Sequence, residues 1–362
     1  MSRRRNQKKQ TNKKSKTGKI VLIIVLVITL IGAGAGGYAW YLFQPVSSDE
    51  TTVSFTIAEG DDVAAELVEA GLIRSDLAFK FATRFGGAGD NFKAGNYDLS
   101  PSMSVYDMIN KFVNGEFSEQ MRFTIFEGND LSQIAVSISQ VLDATPEEIL
   151  KQIDDIDFIK SIQGDYWFLT DAIYNEEIKH PLEGYLYPDT YFVDKTSTVQ
   201  TIVQQGLDNM LTQLEPLKAD MQSSSHSINE LMTMASIVEK ETILDKDRPK
   251  VAGVFYNRIE AGMSLGSDVT VGYSLGKHDI NYTTEELQND SPYNTYVVIG
   301  LPPGPIASPA ISAIKGALYP EDNDYYYFIG DICTDNTVYY ATTQAEHDAN
   351  VDKYLGCYRN QD

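Results

Sequence analysis

Histidine and cysteine are scarce in this chain, and positive charge is scarce beyond Lys19. Its 362 residues include four histidines (His180, His226, His278, His347), none at a metal-ligand spacing, and two cysteines, Cys333 and Cys357, both close to the end. A His-Glu-x-x-His zinc helix and a Gly-x-x-x-x-Gly-Lys phosphate loop are absent, and no serine-nucleophile elbow on a strand-to-helix turn is expected. Zinc peptidases and P-loop enzymes are therefore set aside, and neither a metal nor an organic cofactor is expected. Residues 1–19 carry nine Lys or Arg and no acid, which leaves 20 basic residues against 51 acidic ones in the remainder, a net of −31. So acidic a body is a poor binder of nucleic acid, and none is expected as a partner.

What is present begins with a long apolar run. Ile20 to Trp40 holds about 20 residues, nearly all Ile, Val, Leu, Gly or Ala, followed by Tyr41. At roughly 1.5 Å of rise per residue such a helix spans the hydrocarbon layer of a bilayer. The basic cluster before it predicts a cytoplasmic N-terminus, and Tyr38, Trp40 and Tyr41 suit the outer interface. A cleaved leader is the rival, since Ala33-Gly34-Ala35 resembles a small-residue processing site. The length of the run and its aromatic end favour a retained single-pass anchor, with everything beyond residue 45 extracytoplasmic.

After a short polar linker the chain echoes itself. Phe55-Thr56-Ile57-Ala58-Glu59-Gly60 and a helical pattern (Val63, Leu67, Val68) return as Phe123-Thr124-Ile125-Phe126-Glu127-Gly128 with Leu131, Ile134, Ala135 and Ile138. Likewise Gly95-Asn96-Tyr97-Asp98-Leu99 and a helix over 104–114 return as Gly184-Tyr185-Leu186-Tyr187-Pro188 and a helix over 198–211. Each copy reads as strand, Glu-Gly turn, helices, then a second strand. Further on, residues 325–329 and 337–340 alternate like a strand pair, and 344–355 reads as a closing helix. The whole is expected to be α+β.

Between 180 and 310 the chain is rich in Tyr, Asn, Asp and Thr punctuated by Gly and Pro, as in 182–191, 262–273, 291–296 and 300–306. Loops of this kind can line a groove for a polar ligand, since Tyr rings stack on sugar faces while amides and carboxylates pair with hydroxyls. They can equally be plain surface. Among them lies one helical stretch, 227–242, with Ser227 or Asn229 as candidate N-cap. At about 100° per residue, Ile228, Leu231, Met232, Ala235, Val238 and Thr242 share one face, and Glu239 falls inside it roughly 20° from Ile228. Lys240 and Glu241 are expected on the opposite, polar side. A carboxyl turned to a buried face is pushed toward its protonated form, which is what a general acid needs. The bland alternative is a glutamate at a helix end that reaches past the core to water.

Ala235-Ser236-Ile237-Val238-Glu239-Lys240-Glu241-Thr242 resembles the signature of the endolytic murein transglycosylase (YceG-like) family. The blocks at 182–191, 254–258, 267–273, 291–296 and 300–306 resemble that family in the same order, so the resemblance covers roughly 53–356. It implies a basic cytoplasmic tail (1–19), a transmembrane helix (20–41), a linker (42–52), a small LysM-like module (53–120) and a larger mixed α+β catalytic domain (121–362). The implied substrate is nascent peptidoglycan glycan, cut between N-acetylmuramic acid and N-acetylglucosamine with a 1,6-anhydro end, and the implied partners are peptidoglycan synthases. Glu239 matches the family's catalytic acid. Asp268, Tyr293, Asn294 and Glu183 fall on family motifs as groove-lining or orienting candidates, with a plain turn role open for Glu183 and for Asp189. Gly266 and Val269 stand where the family pattern leads us to expect a polar residue such as Gln and a Pro, which puts subsite contacts there in doubt. No role is assigned to 340–343.

Two other functions stay open. A hydrolase adding water would want a second carboxylate, for which Asp268 is the sequence candidate. A non-catalytic glycan-binding scaffold for synthases would need no acid at all. On an oxidising side, Cys333 and Cys357 are expected to form a disulfide, with two free thiols as the alternative.

Overall fold

The computed structural model describes residues 15–58, 60–86, 89, 91–278, 282–331 and 333–355. Residues 1–14 of the basic tail, Glu59 of the first Glu-Gly turn and Cys357 of the expected disulfide lie outside the described residues; Cys333 is disulfide-bonded. The chain divides into two compact units, 1–119 with 194–196, and 120–193 with 197–362.

The first unit opens with α1 (Ser15–Phe43). Its segment Ile24–Phe43 is long and apolar enough to cross a membrane by length and composition. Leu22, Val25, Leu26 and Val27 along it are exposed, while Leu42 and Phe43 at its end are half-buried. Strands β1 (Val53–Ile57) and β2 (Gly95–Leu99) pair antiparallel, with Phe55 opposite Tyr97. Phe55 and Ile57 are buried while Ser54 and Thr56 are exposed, the period-2 alternation of a sheet with one wet face. Between the strands run α2 (Val63–Glu69) and α3 (Asp76–Phe85), and α4 (Val105–Asn114) follows. Asp62, Ser75 and Ser104 each cap the helix that follows, accepting its early backbone amide. Phe112 is the hub of this core, with the rings of Phe55, Phe79, Phe92 and Tyr97 all within 6.5 Å of it.

The second unit repeats the motif with insertions. β3 (Met121–Thr124) pairs antiparallel with β4 (Thr190–Val193), and Phe123 lies opposite Tyr191 as Phe55 lies opposite Tyr97. Inside come α5 (Leu131–Ser139), α6 (Pro146–Ile153) and α7 (Ile156–Ile162). The returning strand is thus Thr190–Val193 rather than the expected Gly184–Pro188. Gly184 has φ +81°, and a Cβ there would stand 2.5 Å from Pro305 Cβ, so this is a turn pressed against another loop. Tyr185 and Leu186 are both buried, which a one-sided strand does not allow for neighbours.

Then follow α8 (Val199–Leu214), α9 (Lys218–Ser223), α10 (Ile228–Glu241), α11 (Arg248–Glu260), α12 (Asp268–Leu275) and α13 (Ile311–Leu318). The hairpin β5 (Tyr327–Gly330) and β6 (Val338–Ala341) and the helix α14 (Gln344–Tyr354) complete the unit. Mixed α+β is therefore the class, with three two-stranded sheets among the described residues.

Helix α10 departs from its expected amphipathic form. Ser227 caps it in a reciprocal box with Glu230, but every residue from Leu231 to Val238 is buried, because α9, α11, α12 and α13 surround it. Two hydroxyls on the supposed polar face tolerate this since they are satisfied at home. Thr233 Oγ1 donates to Asn229 O at 2.6 Å, and Ser236 Oγ donates to Thr233 O at 2.7 Å while accepting from Ile306 N at 3.0 Å.

Candidate active site

Glu239 occupies the last turn of α10, and its side chain is only 4% exposed. Oε1 accepts from Arg248 Nη2 at 2.6 Å, and Oε2 accepts from the backbone amide of Ala310 at 2.8 Å. Ala310 is the N-cap of α13, so the carboxylate sits at a helix N-terminus as well as against a guanidinium. Those contacts favour the ionised form. Burial opposes them and is the larger influence, with Glu127 and Asp245 adding to it, so the pKa of Glu239 lies above the ordinary carboxylate value.

Arg248 is shared. It is the first residue of α11, its side chain 3% exposed, and it also pairs with Asp245 Oδ1 at 3.0 Å and approaches Glu127 Oε2 at 4.0 Å. Ser312 accepts a further contact from it. One guanidinium thus serves three carboxylates, and only Glu239 among them is buried. The loop carrying Glu127 is drawn here by backbone pairing: Gly128 N donates to Ser308 O at 2.9 Å, and Ser308 N to Asn129 O at 2.8 Å. Lys240 Nζ ties the end of α10 to the same loop through Gly128 O at 3.1 Å.

Glu239 looks into a cleft of about 390 Å³ whose lining includes Glu127, Asp130, Tyr273, Lys277 and His278. A polar, open-sided space of this size suits a chain of hydroxylated rings better than an apolar cofactor. The first unit holds a larger cavity, about 570 Å³, but its charged lining of Asp61, Asp62 and Lys80 is surface-like, with Lys80 held by Asp62 at 3.0 Å. Chemistry therefore points to the smaller space.

The other sequence candidates are distributed around this centre. Glu183 is fully buried beneath the cleft, where it accepts from Leu131 N (3.1 Å) and from Tyr273 Oη (3.1 Å). Burial, reinforced by Asp130, pushes its pKa up to about 8. Tyr293 is buried against Tyr273, ring centroids 4.9 Å apart, and its Oη accepts from Lys179 N at 3.3 Å. Asn294 is a loop brace: its amide donates to Leu287 O and Asn289 O, and its Oδ1 accepts from Tyr296 N. Asp268 is exposed at the start of α12 and accepts from Tyr296 Oη at 2.6 Å. It neighbours Glu241 rather than the groups that perturb Glu239. Val269 does line the cleft, while Gly266 adopts φ +54°, a left-handed turn that glycine takes without strain.

Glu241 corrects the helical wheel. It is not on an open polar side but half-buried, accepting from Ser267 Oγ with Arg258 and Asp268 nearby, and desolvation raises its pKa to about 6. Gly262-Met263-Ser264-Leu265-Gly266 carries the Gly-x-Ser-x-Gly spacing, yet it joins helix α11 to helix α12 and Ser264 bridges to Ile299, so it is not a strand-to-helix elbow. Sequence reasoning missed Arg248, the Ala310 amide and the proximity of Glu127. No local pattern singles out an arginine opening a helix, whereas Glu127 was visible as the repeat of the first Glu-Gly turn.

Residues 55–353 match the YceG-like family. The chain is 36% identical over 332 residues to a protein of Bacillus subtilis named endolytic murein transglycosylase, covering 90% of this chain and 91% of that one. A protein of the same name from Streptococcus pneumoniae strain D39 is 34% identical over 347 residues, 89% of this chain but only 63% of the pneumococcal protein. Among solved structures, a 2.6 Å crystal structure of a YceG-like protein from Listeria monocytogenes is similar at TM-score 0.61 and 35% identity, covering 83% of this chain and 99% of that one.

Proposed function

This chain belongs to the YceG-like family, and on that footing we propose that it is a membrane-anchored lytic transglycosylase of peptidoglycan. It cuts nascent glycan strands between N-acetylmuramic acid and N-acetylglucosamine, leaves 1,6-anhydro ends, and so terminates elongation beside the synthases. The observation that carries this reading is a single buried carboxyl, Glu239, facing a polar cleft with its pKa raised by burial. Protonated Glu239 donates to the glycosidic oxygen as the bond to C1 breaks. The resulting carboxylate then takes the proton of the C6 hydroxyl, whose oxygen closes on C1. The nucleophile belongs to the substrate, so one carboxyl is enough. Arg248 and the Ala310 amide stabilise the carboxylate between the two proton transfers.

Segment Ile24–Phe43 anchors the protein with its N-terminus in the cytoplasm, and residues 53–120 form a LysM-like module. Asp268, Tyr293, Asn294 and Glu183 shape or support the groove around Glu239.

Hydrolysis is the second reading, and Glu127 favours it more than Asp268 does. Glu127 and Glu239 approach the same Arg248 nitrogen at 4.0 and 2.6 Å, which sets an upper limit of about 7 Å on the separation of their nearest oxygens and so admits the shorter spacing of a two-carboxylate glycosidase. Incubation of the full chain with uncrosslinked glycan, followed by mass spectrometry of the new ends, tests both. Anhydro ends, lighter by one water, support the transglycosylase. Reducing ends alone, lost in Glu127→Gln, support the hydrolase.

A further inference from the structure

Helix α3 exposes an apolar ridge that the glycan chemistry does not use. Leu77 is 73% exposed, Phe81 55% and Phe85 71%, and the last two rings touch at 4.4 Å between centroids. Their spacing of four residues places them in line. On a helical wheel Leu77, Phe81 and Phe85 form one continuous stripe, and Arg84 and then Lys80 follow along its edge on the Leu77 side. The buried residues Ala78, Phe79, Ala82 and Thr83 occupy the opposite half. The helix therefore has a packed face and a second face of Leu, Phe and Arg, flanked by Lys80 in its ion pairs with Asp62 and Asp76, a mixture found in helices that lie in a bilayer interface.

What this face meets is indicated by where α3 is fixed. Arg74, two residues before α3, donates to Gln44 O at 2.7 Å and Val46 O at 2.8 Å, and its guanidinium lies 4.2 Å from the centre of the Tyr41 ring. Phe43 packs on Tyr106 of α4 at 5.5 Å between centroids. The end of the apolar segment Ile24–Phe43, with its exposed Tyr38, Trp40 and Tyr41, is thus clamped to the elements that carry α3. Aromatic residues at such an end mark the level of the lipid headgroups.

We propose that the Leu77–Phe81–Phe85 ridge of α3 inserts into the outer interface of the membrane, with Arg84 at the headgroups. The first unit is thereby held flat on the bilayer rather than swinging from α1 alone. This inference rests on the reading of α1 as an anchor. It sets the height at which this unit stands above the lipid.

The test is photo-crosslinking of the full chain in phospholipid nanodiscs, with p-benzoylphenylalanine placed singly at Tyr38, Phe81 and Phe85. These positions are exposed, and the replacement keeps an aromatic ring. Lipid adducts at 81 and 85, read by mass spectrometry at yields within a few-fold of that at 38, are expected. Adducts at 38 but none at 81 or 85, or crosslinks at 81 only to protein, would overturn the ridge and leave the anchor standing. No adduct at 38 would overturn the anchor, and the ridge with it.

Discussion

The last turn of α10 carries two desolvated carboxylates, two residues apart, that differ in what they face. Glu239 and Glu241 are both withdrawn from water, and burial raises the pKa of each. Glu239 has a guanidinium, a backbone amide at a helix N-terminus and an open cleft before it. Glu241 has Ser267 and Arg258, and it does not line that cleft. A perturbed carboxyl is thus a candidate for catalysis only where a substrate can reach it; elsewhere the same physics makes a structural brace.

Four measurements sharpen or break this contrast. Glu239→Gln should lower glycan cleavage by roughly 10²- to 10⁴-fold, the range lost with a general acid, while thermal unfolding stays near wild type. Next, Arg248→Lys tests the counter-ion. The guanidinium favours ionised Glu239, so weakening it raises the carboxyl's pKa further. The alkaline limb of the kcat/KM profile, where Glu239 loses its proton, should then move to higher pH; an unmoved limb would mean that Arg248 is only structural.

Glu183 gives a stability effect instead of a rate effect. Its carboxyl titrates at about 8 when folded against an ordinary value of 4.5. The folded state therefore keeps a proton that the unfolded state gives up, and stability falls as pH rises from about 4.5 to about 8. Glu183→Gln removes that slope and should gain on the order of 4 kcal/mol at pH 8.5 relative to pH 5, read from chemical denaturation at the two pH values. The smallest expected effect is Glu241→Gln: cleavage within about threefold of wild type, since an amide can still accept from Ser267. A loss as deep as that of Glu239→Gln would reverse the assignment of the two carboxylates.

Much of this was legible in the order of residues. Ser227 as a cap, the paired strands at Phe55 and Phe123 and the placing of Glu239 on an inward face all follow from local pattern. The failures share one cause. The wheel places Glu241 on a polar side because it assumes one buried face, whereas α10 is packed by α9, α11, α12 and α13. The strand expected at Gly184–Pro188 moved to Thr190–Val193 because Gly184 is pressed against Pro305, a contact between residues 121 positions apart.

By itself the sequence determined the helix that bears Glu239, the helix long and apolar enough for a bilayer, and the twice-used strand pairing, because hydrophobic period and capping are properties of neighbours in the chain. Only the tertiary structure decided which carboxyl faces the cleft and which is held by Ser267. Arg248 lies nine residues beyond Glu239, Glu127 112 before it and Ala310 71 after it. Their convergence on one carboxyl is made by packing around α10, and no stretch of the chain read alone contains it.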